Sequence, residues 1–299
     1  MSLPEAPRPP LEGAERRMVE IDTADAGRLA VHVSELGAGE PVLMLHGWPQ
    51  HAGCWRRVAP LVAERHRVIC PDLRGFGGSD APGRGYDPQT FASDAAALLD
   101  ALSIDRVGLV GHDWGGYSGF LLALGHPERI TGFVACSTPL PWVRLTPRIA
   151  AEGWRSWYAF VMAAAARPLL GRRPDLFVSG IRGPGLSEEE AWDYTRLLAR
   201  PESARATELL YRAYLRTFVD FTLGRGSDPG RLTVPTRVLH GTRDPAVSKE
   251  LLTGDHSRHA DDLQVELVEG AGHFVPEERP ELVAERALAL FAGGDPRKA

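Results

Sequence analysis

The sequence lacks the features that mark a membrane, secreted or nucleic-acid-binding protein. No apolar run in its 299 residues approaches the ~20 residues that a helix needs to cross a bilayer. The formal net charge is −5, with 34 basic against 39 acidic side chains, so the composition gives no sign of a nucleic-acid-binding stripe. The opening segment, MSLPEAPRPP, has no apolar signal core, and we expect residues 1–15 to form a flexible tail. These absences predict a cytoplasmic protein.

Cysteine is also scarce. The three cysteines, Cys54, Cys70 and Cys136, are far apart and do not have the spacing of metal ligands. Isolated cysteines of this kind are typical of buried thiols in a reducing compartment. We therefore expect no disulfide, no metal centre and no cofactor.

What the sequence does contain is an alternation of strand-like and helix-like segments. Predicted strands cover residues 19–21, 29–33, 42–45, 68–70, 107–110, 130–136, 236–239 and 265–268, and predicted helices cover 55–64, 91–102, 118–124 and 280–291. The alternation predicts an α/β fold with a mostly parallel central sheet and helices on both faces. It stops between residues 139 and 230, where the chain is helix-prone, which predicts an inserted helical cap between core segments 16–138 and 231–299.

The first chemical signal is the stretch VGHDWGGY, residues 110–117, which joins a predicted strand to a predicted helix. Gly111 and Gly115 provide the small residues that a sharp turn needs around Asp113. A serine at such a turn would form an ether with a saturated carbon, which water cannot cleave. An aspartate forms an ester, whose carbonyl lies on the enzyme and can be hydrolysed. Asp113 therefore predicts an alkylation chemistry, either the opening of an epoxide or the displacement of a halide.

Two further residues follow later predicted strands. His273 lies in a glycine-bounded loop after residues 265–268, and Asp244 follows the strand at residues 236–239. A histidine there can activate the water that cleaves the ester, and a carboxylate can orient the imidazole and stabilise its charged form. The chain order of nucleophile, acid and histidine matches one known arrangement of such triads.

Five segments together resemble the α/β-hydrolase superfamily, and within it the epoxide hydrolases and their haloalkane dehalogenase relatives. They are residues 46–49 (HGWP), 72–79 (DLRGFGGS), 111–116 (GHDWGG), 241–244 (GTRD) and 272–274 (GHF), within a match that runs from about Arg17 to Phe291. The resemblance implies the α/β-hydrolase fold and a cofactor-independent hydrolase.

The resemblance also implies roles for residues around Asp113. Backbone N–H groups of Trp48 and Trp114 would form an oxyanion hole, and the bond before Pro49 would be cis. We expect His46 and His112 to be structural.

The cap would supply tyrosines that protonate the leaving oxygen of an epoxide, since the resemblance implies two of them facing the nucleophile. Tyr211 matches the second position, and Tyr158 lies near the first, although a shift of one residue would put Trp157 there. Tyr194 and Tyr214 are the other candidates to partner Tyr211.

We predict that Trp157 and Phe274 line an apolar substrate pocket and that the substrate is a small apolar epoxide. A haloalkane dehalogenase with the same nucleophile is the alternative. Haloacid-type relatives carry arginines where this chain has Trp114 and Tyr117, and haloalkane dehalogenases commonly have a polar residue in place of Trp48. A ligand receptor without activity is a remote alternative. We also keep the hypothesis that two copies of this chain form a homodimer.

Overall fold

An eight-stranded sheet forms the centre of the molecule. The computed structural model describes residues 11–143, 146–147, 151, 153–174, 185–222 and 228–293. The strands are β1 (Glu15–Thr23), β2 (Gly27–Leu36), β3 (Pro41–Leu45), β4 (Arg67–Pro71), β5 (Val107–His112), β6 (Ile130–Cys136), β7 (Thr236–Gly241) and β8 (Leu263–Val268). Their order in the sheet is β1-β2-β4-β3-β5-β6-β7-β8. β1 and β2 pair antiparallel, β2 pairs antiparallel with β4, and all later pairs are parallel.

Helices cover both faces of this sheet. The core helices are α1 (Ala59–Ala63), α2 (Pro88–Ala101), α3 (Asp113–Gly125), α7 (Val275–Glu278) and α8 (Pro280–Phe291). In β3, Leu43 and Leu45 belong to the same buried cluster as residues of α2 and α3, whereas Val42 and Met44 belong to the cluster that includes α1 and α8. This division follows from the twofold alternation of side chains along a strand. The predicted mostly parallel sheet, covered on both faces, is confirmed.

Between β6 and β7 the described residues form three α-helices. They are α4 (Trp157–Arg172), α5 (Glu188–Leu198) and α6 (Pro201–Thr222). α5 begins with a complete capping box, in which the Ser187 hydroxyl accepts the N–H of Glu190 and the Glu190 carboxylate accepts the N–H of Ser187. All three helices fall within the segment predicted as a cap, and they carry every cap tyrosine considered above.

Two local predictions were wrong. The single helix predicted at residues 55–64 is a 3-10 turn at Ala52–Trp55 followed by the short α1, because Pro60 has no N–H and fits only in the first turn of a helix. The predicted tail extends too far, because Leu11 is only 1% exposed and β1 already begins at Glu15. Residues 1–10 lie outside the described residues.

No helix in the described part of the chain combines the length and the apolar character needed to span a membrane. Within the same described ranges, His, Cys, Asp and Glu side chains do not gather in a group of three or more that could hold a metal ion.

Candidate active site

Asp113 lies at the sharp turn between β5 and α3. Its φ is +49°, in the left-handed region that a non-glycine residue occupies only at a cost of about 1 kcal/mol or more. The turn is also crowded: a Cβ at Gly47 would lie 2.5 Å from the Cβ of Asp113, and a Cβ at Gly111 would lie 2.7 Å from the carbonyl oxygen of Gly115. The glycines that flank the turn are therefore required by close packing.

Backbone donors converge on the Asp113 carboxylate. The N–H of Trp48 donates to Asp113 Oδ2 at 2.9 Å, and the N–H of Trp114 also donates to this carboxylate. The expected cis bond between Trp48 and Pro49 is present. Two N–H groups thus point at the position predicted for an oxyanion hole.

His273 lies between two carboxylates. Its Nδ1 is 2.8 Å from Asp244 Oδ2, and its Nε2 is 3.8 Å from Asp113 Oδ1. Asp244 Oδ1 accepts the backbone N–H groups of Ala246 and Val247 at 2.8 and 2.9 Å, which holds the carboxylate at the end of β7. The structure therefore brings together the three residues predicted as nucleophile, base and acid.

The charges of the three residues are interdependent. Burial lowers the pKa of His273, but the carboxylates of Asp244 and Asp113 outweigh it and raise the pKa to about 9. Burial raises the pKa of Asp113, although the His273 charge opposes it. Burial also acts to raise the pKa of Asp244, but His273 lowers it overall. Near neutral pH His273 is therefore an imidazolium, and it lies between the carboxyl groups of Asp244 and Asp113.

Tyr158 on α4 and Tyr211 on α6 both lie close to the nucleophile. Their ring centroids lie 5.7 Å apart, and their phenols hydrogen-bond to each other. Burial raises the pKa of both phenols, and the nearby Asp113 carboxylate adds to the increase. Both groups are therefore protonated over the neutral range and can act as donors.

The other two candidate tyrosines, Tyr194 and Tyr214, have different contacts. Tyr194 is turned away from the nucleophile, and its hydroxyl donates to Glu277 Oε1 at 2.6 Å. Tyr214 packs against Trp114, with 5.8 Å between ring centroids, and lies 6.4 Å from the ring of Tyr211. Of the candidates, Tyr158 is the one that the structure pairs with Tyr211 in front of Asp113.

The two residues predicted to line the pocket differ in their surroundings. Phe274 is 9% exposed, and its ring lies 5.2 Å from that of His273. Trp157 is 63% exposed, so the structure does not bring it to Asp113. Neighbouring residues on a helix point about 100° apart. Because Tyr158 faces the interior, Trp157 is turned towards solvent.

His46 and His112 have structural contacts. His46 Nε2 accepts the N–H of Leu73 at 2.8 Å, and His112 Nε2 lies 3.0 Å from the carbonyl oxygen of His273. Burial lowers the pKa of both rings, to about 3 for His112, so both are neutral near pH 7. His112 thereby helps to hold the backbone of the His273 loop.

A family model described as "alpha/beta hydrolase fold" matches residues 40–280 of the chain. The chain belongs to the α/β-hydrolase superfamily. A soluble epoxide hydrolase from Corynebacterium sp. (strain C12) is 33% identical to this chain over 278 residues. The match covers 88% of this chain and 93% of the relative. A fluoroacetate dehalogenase from Burkholderia sp is 32% identical over 247 residues, covering 77% and 79% of the two chains. A structure of the epoxide hydrolase CorEH without ligand has a TM-score of 0.78 at 27% identity and covers 93% of this chain and 99% of that chain.

Two residues of this α/β-hydrolase that were not predicted from the sequence contact the site. The indole Nε1–H of Trp48 donates to Thr207 Oγ1 at 3.2 Å, and Thr207 lies one helical turn before Tyr211 on α6. The carboxylate of Glu278 accepts the N–H of Gly272, which precedes His273, at 2.8 Å. Thr207 lies four residues before Tyr211, and residues four apart share one face of a helix, so this spacing could have indicated Thr207. No sequence pattern indicates the contact of Glu278.

Proposed function

We propose that this chain is an epoxide hydrolase that forms a covalent alkyl ester on Asp113 and releases a vicinal diol. The observation that carries the proposal is the pair of phenols close to a carboxylate nucleophile, the buried Tyr211 and the half-buried Tyr158. An opening epoxide develops an alkoxide and needs a proton at that place. The similarity to epoxide hydrolases over most of the chain supports the same conclusion.

In the first step Asp113 attacks one epoxide carbon. Asp113 Oδ2 is occupied by the N–H of Trp48, so Oδ1, on the side of His273, is the attacking oxygen. The carbon–oxygen bond of the ring breaks, and its electron pair stays on the oxygen, which takes a proton from Tyr211 or Tyr158. The product of this step is an ester of Asp113 with a neutral hydroxyl group on the adjacent carbon.

The first step also prepares the second, because esterification removes the negative charge of Asp113. One of the carboxylates that raise the pKa of His273 is then neutral. The imidazolium releases its proton, and this proton balances the one that the phenol gave to the alkoxide. His273 is now a neutral base, still held by Asp244.

In the second step His273 Nε2 takes a proton from water, and the hydroxide attacks Cγ of the Asp113 ester. The oxyanion forms on Oδ2, where the N–H groups of Trp48 and Trp114 stabilise it. The intermediate collapses, the bond between Cγ and the ester oxygen breaks, and the leaving alkoxide takes the proton from His273. The carboxylic acid formed on Asp113 then gives its proton to His273, which restores the carboxylate and the imidazolium. The sum of both steps is epoxide plus water to diol.

The substrate class and the setting are further parts of the proposal. Phe274 and the aromatic rings around Tyr211 favour a small apolar epoxide. The three cysteines are free and buried, in agreement with a cytoplasmic location. We treat residues 139–230 as the cap. A homodimer stays a hypothesis, which light scattering of the purified protein tests.

A dehalogenase is the second candidate, because one relative is a fluoroacetate dehalogenase and a carboxylate nucleophile can displace halide. Recognition of a haloacid would need a cation beside the nucleophile, where this chain has Trp114 and Tyr117. The phenols supply a proton that a departing halide does not need. These residues favour the epoxide over the halide.

The test is a single turnover with a small apolar epoxide, followed by mass measurement of the Asp113 peptide. We expect an ester adduct that decays in the wild type and accumulates in H273Q. An adduct with haloalkanes but none with epoxides would transfer the assignment to a dehalogenase. No adduct with either class would contradict the nucleophile itself and leave a ligand receptor.

A further inference from the structure

A carboxylate that the proposed reaction does not use lies fully buried beside the site. The side chain of Glu277, in α7, has no exposed surface, and its position is four residues after His273. Burying a carboxylate is costly unless donors surround it. Its surroundings should therefore show what the residue does.

Glu277 gathers donors from the core and from the cap. Arg56 Nη1 lies 2.7 Å from Oε1 and 2.6 Å from Oε2, the hydroxyl of Tyr194 donates at 2.6 Å, and Gln50 Nε2 donates at 3.3 Å. Arg56 also binds Glu190 of α5, with 2.6 Å between the charged atoms. We call these five residues the Glu277 cluster. It joins α7 to the cap helix α5, which carries Tyr194 and Glu190.

The cluster is continuous with both sides of the active site. Gln50 directly follows Pro49, and its backbone N–H donates to the Gly47 carbonyl at 3.0 Å within the loop that carries the Trp48 amide. On the other side, α7 begins two residues after His273. The residue next to Glu277, Glu278, accepts the N–H of Gly272 from the His273 loop.

We propose that Glu277 is a positioning residue that fixes the His273 loop relative to the oxyanion loop and to cap helix α5, and so sets the rate of ester hydrolysis. The inference deepens the proposed function and rests on it. Hydrolysis is the sensitive step because His273, a water molecule and the Asp113 ester must align at once. Attack on the epoxide does not involve His273. It requires Asp113, which follows β5 and is held by the Trp48 amide, and the phenols on α4 and α6. A misplacement of about 1 Å in such a group can lower a rate by about 100-fold.

The test separates the two half-reactions in E277Q, which keeps the shape of the side chain and removes its charge. Rapid-quench single turnovers, with mass measurement of the Asp113 peptide, give the rates of ester formation and ester decay. We expect decay to slow about tenfold or more while formation changes by less than about threefold. The ester should then accumulate during steady-state turnover, and kcat should fall together with KM.

Two further variants control the interpretation. Y194F removes the hydroxyl that donates to Glu277 and accepts from Arg56 Nη1 at 3.0 Å, and it keeps every charge of the cluster. We therefore expect a smaller effect in the same direction, and this variant still tests the inference if E277Q folds poorly. D261N neutralises an exposed carboxylate that pairs with Arg231, and both rates should stay at the wild-type values.

A measurement without substrate completes the test. Histidine NMR of E277Q and Y194F should show a changed titration of His273, because its distance to Asp244 changes.

A lowered melting temperature with unchanged rates in both steps and an unchanged His273 titration would show a purely structural role and overturn the inference. If the wild type forms no adduct on Asp113, the proposed function fails first and this inference falls with it. In another outcome the wild type forms and hydrolyses the adduct while E277Q shows the same ratio of ester-formation rate to ester-decay rate. That result overturns this inference and leaves the proposed function standing.

Discussion

The charge of Asp113 should control the pKa of His273, and D113N tests this directly. The asparagine is neutral and has the shape of the carboxylate, so it imitates the charge state of the ester. The two charges are separated by 3.8 Å in the wild type. Their attraction at this distance is about 1 kcal/mol in a medium like water and about 4 kcal/mol at an effective dielectric constant of 20. The pKa of His273 should therefore fall by roughly one to three units.

The assay is NMR titration of the imidazole in the wild type and in D113N. The wild-type ring should titrate near pH 9, and the ring of D113N should titrate at about 6 to 8. A difference of less than about half a unit would refute the reasoning, because esterification would then not convert His273 into a base. Substitution of the exposed Asp261 by asparagine serves as the control and should leave the titration unchanged.

The same shift predicts how stability depends on pH. The pKa of His273 is raised in the folded state from the ordinary value of 6.5 to about 9, so its stabilising contribution is complete below pH 6.5 and is lost as the pH rises through 9. D113N should lose less stability than the wild type over this interval, by about 1 to 3 kcal/mol. Denaturant unfolding at pH 6.5 and pH 9.5 measures the difference, and parallel curves for the two proteins would contradict it.

Two further predictions concern the groups around the nucleophile. Y211F and Y158F should each lower kcat/KM for epoxides by about 10- to 100-fold with folding unchanged, because each removes a proton donor; full activity in the double variant would contradict the role of the phenols. T207V should lower the unfolding free energy by about 0.5 to 1.5 kcal/mol, since it removes the acceptor of the partly buried Trp48 indole N–H. T207S keeps the hydroxyl and is the matched control, and equal stability of the two variants would show that the hydrogen bond contributes nothing.

Several features were predictable because they depend on short spacings in the chain. Short runs of mostly apolar residues located each of the eight strands, and α8 begins and ends at the predicted residues 280 and 291. The glycines around Asp113 indicated the turn, which the structure shows at φ +49°. The predicted helix at 55–64 was wrong because the apolar spacing was given more weight than Pro60.

The sequence by itself determined the sheet and the three residues at its strand ends, Asp113, Asp244 and His273. Parallel strands bring their carboxyl ends to one edge, so residues far apart in the chain must meet there once the strands pair. Only the tertiary structure decided that Tyr158, rather than Trp157 or Tyr194, faces Asp113. That choice depends on the rotation of the cap helices against the core, which long-range packing sets. The buried carboxylate of Glu277 was beyond the sequence for the same reason, because its partners come from three separate segments.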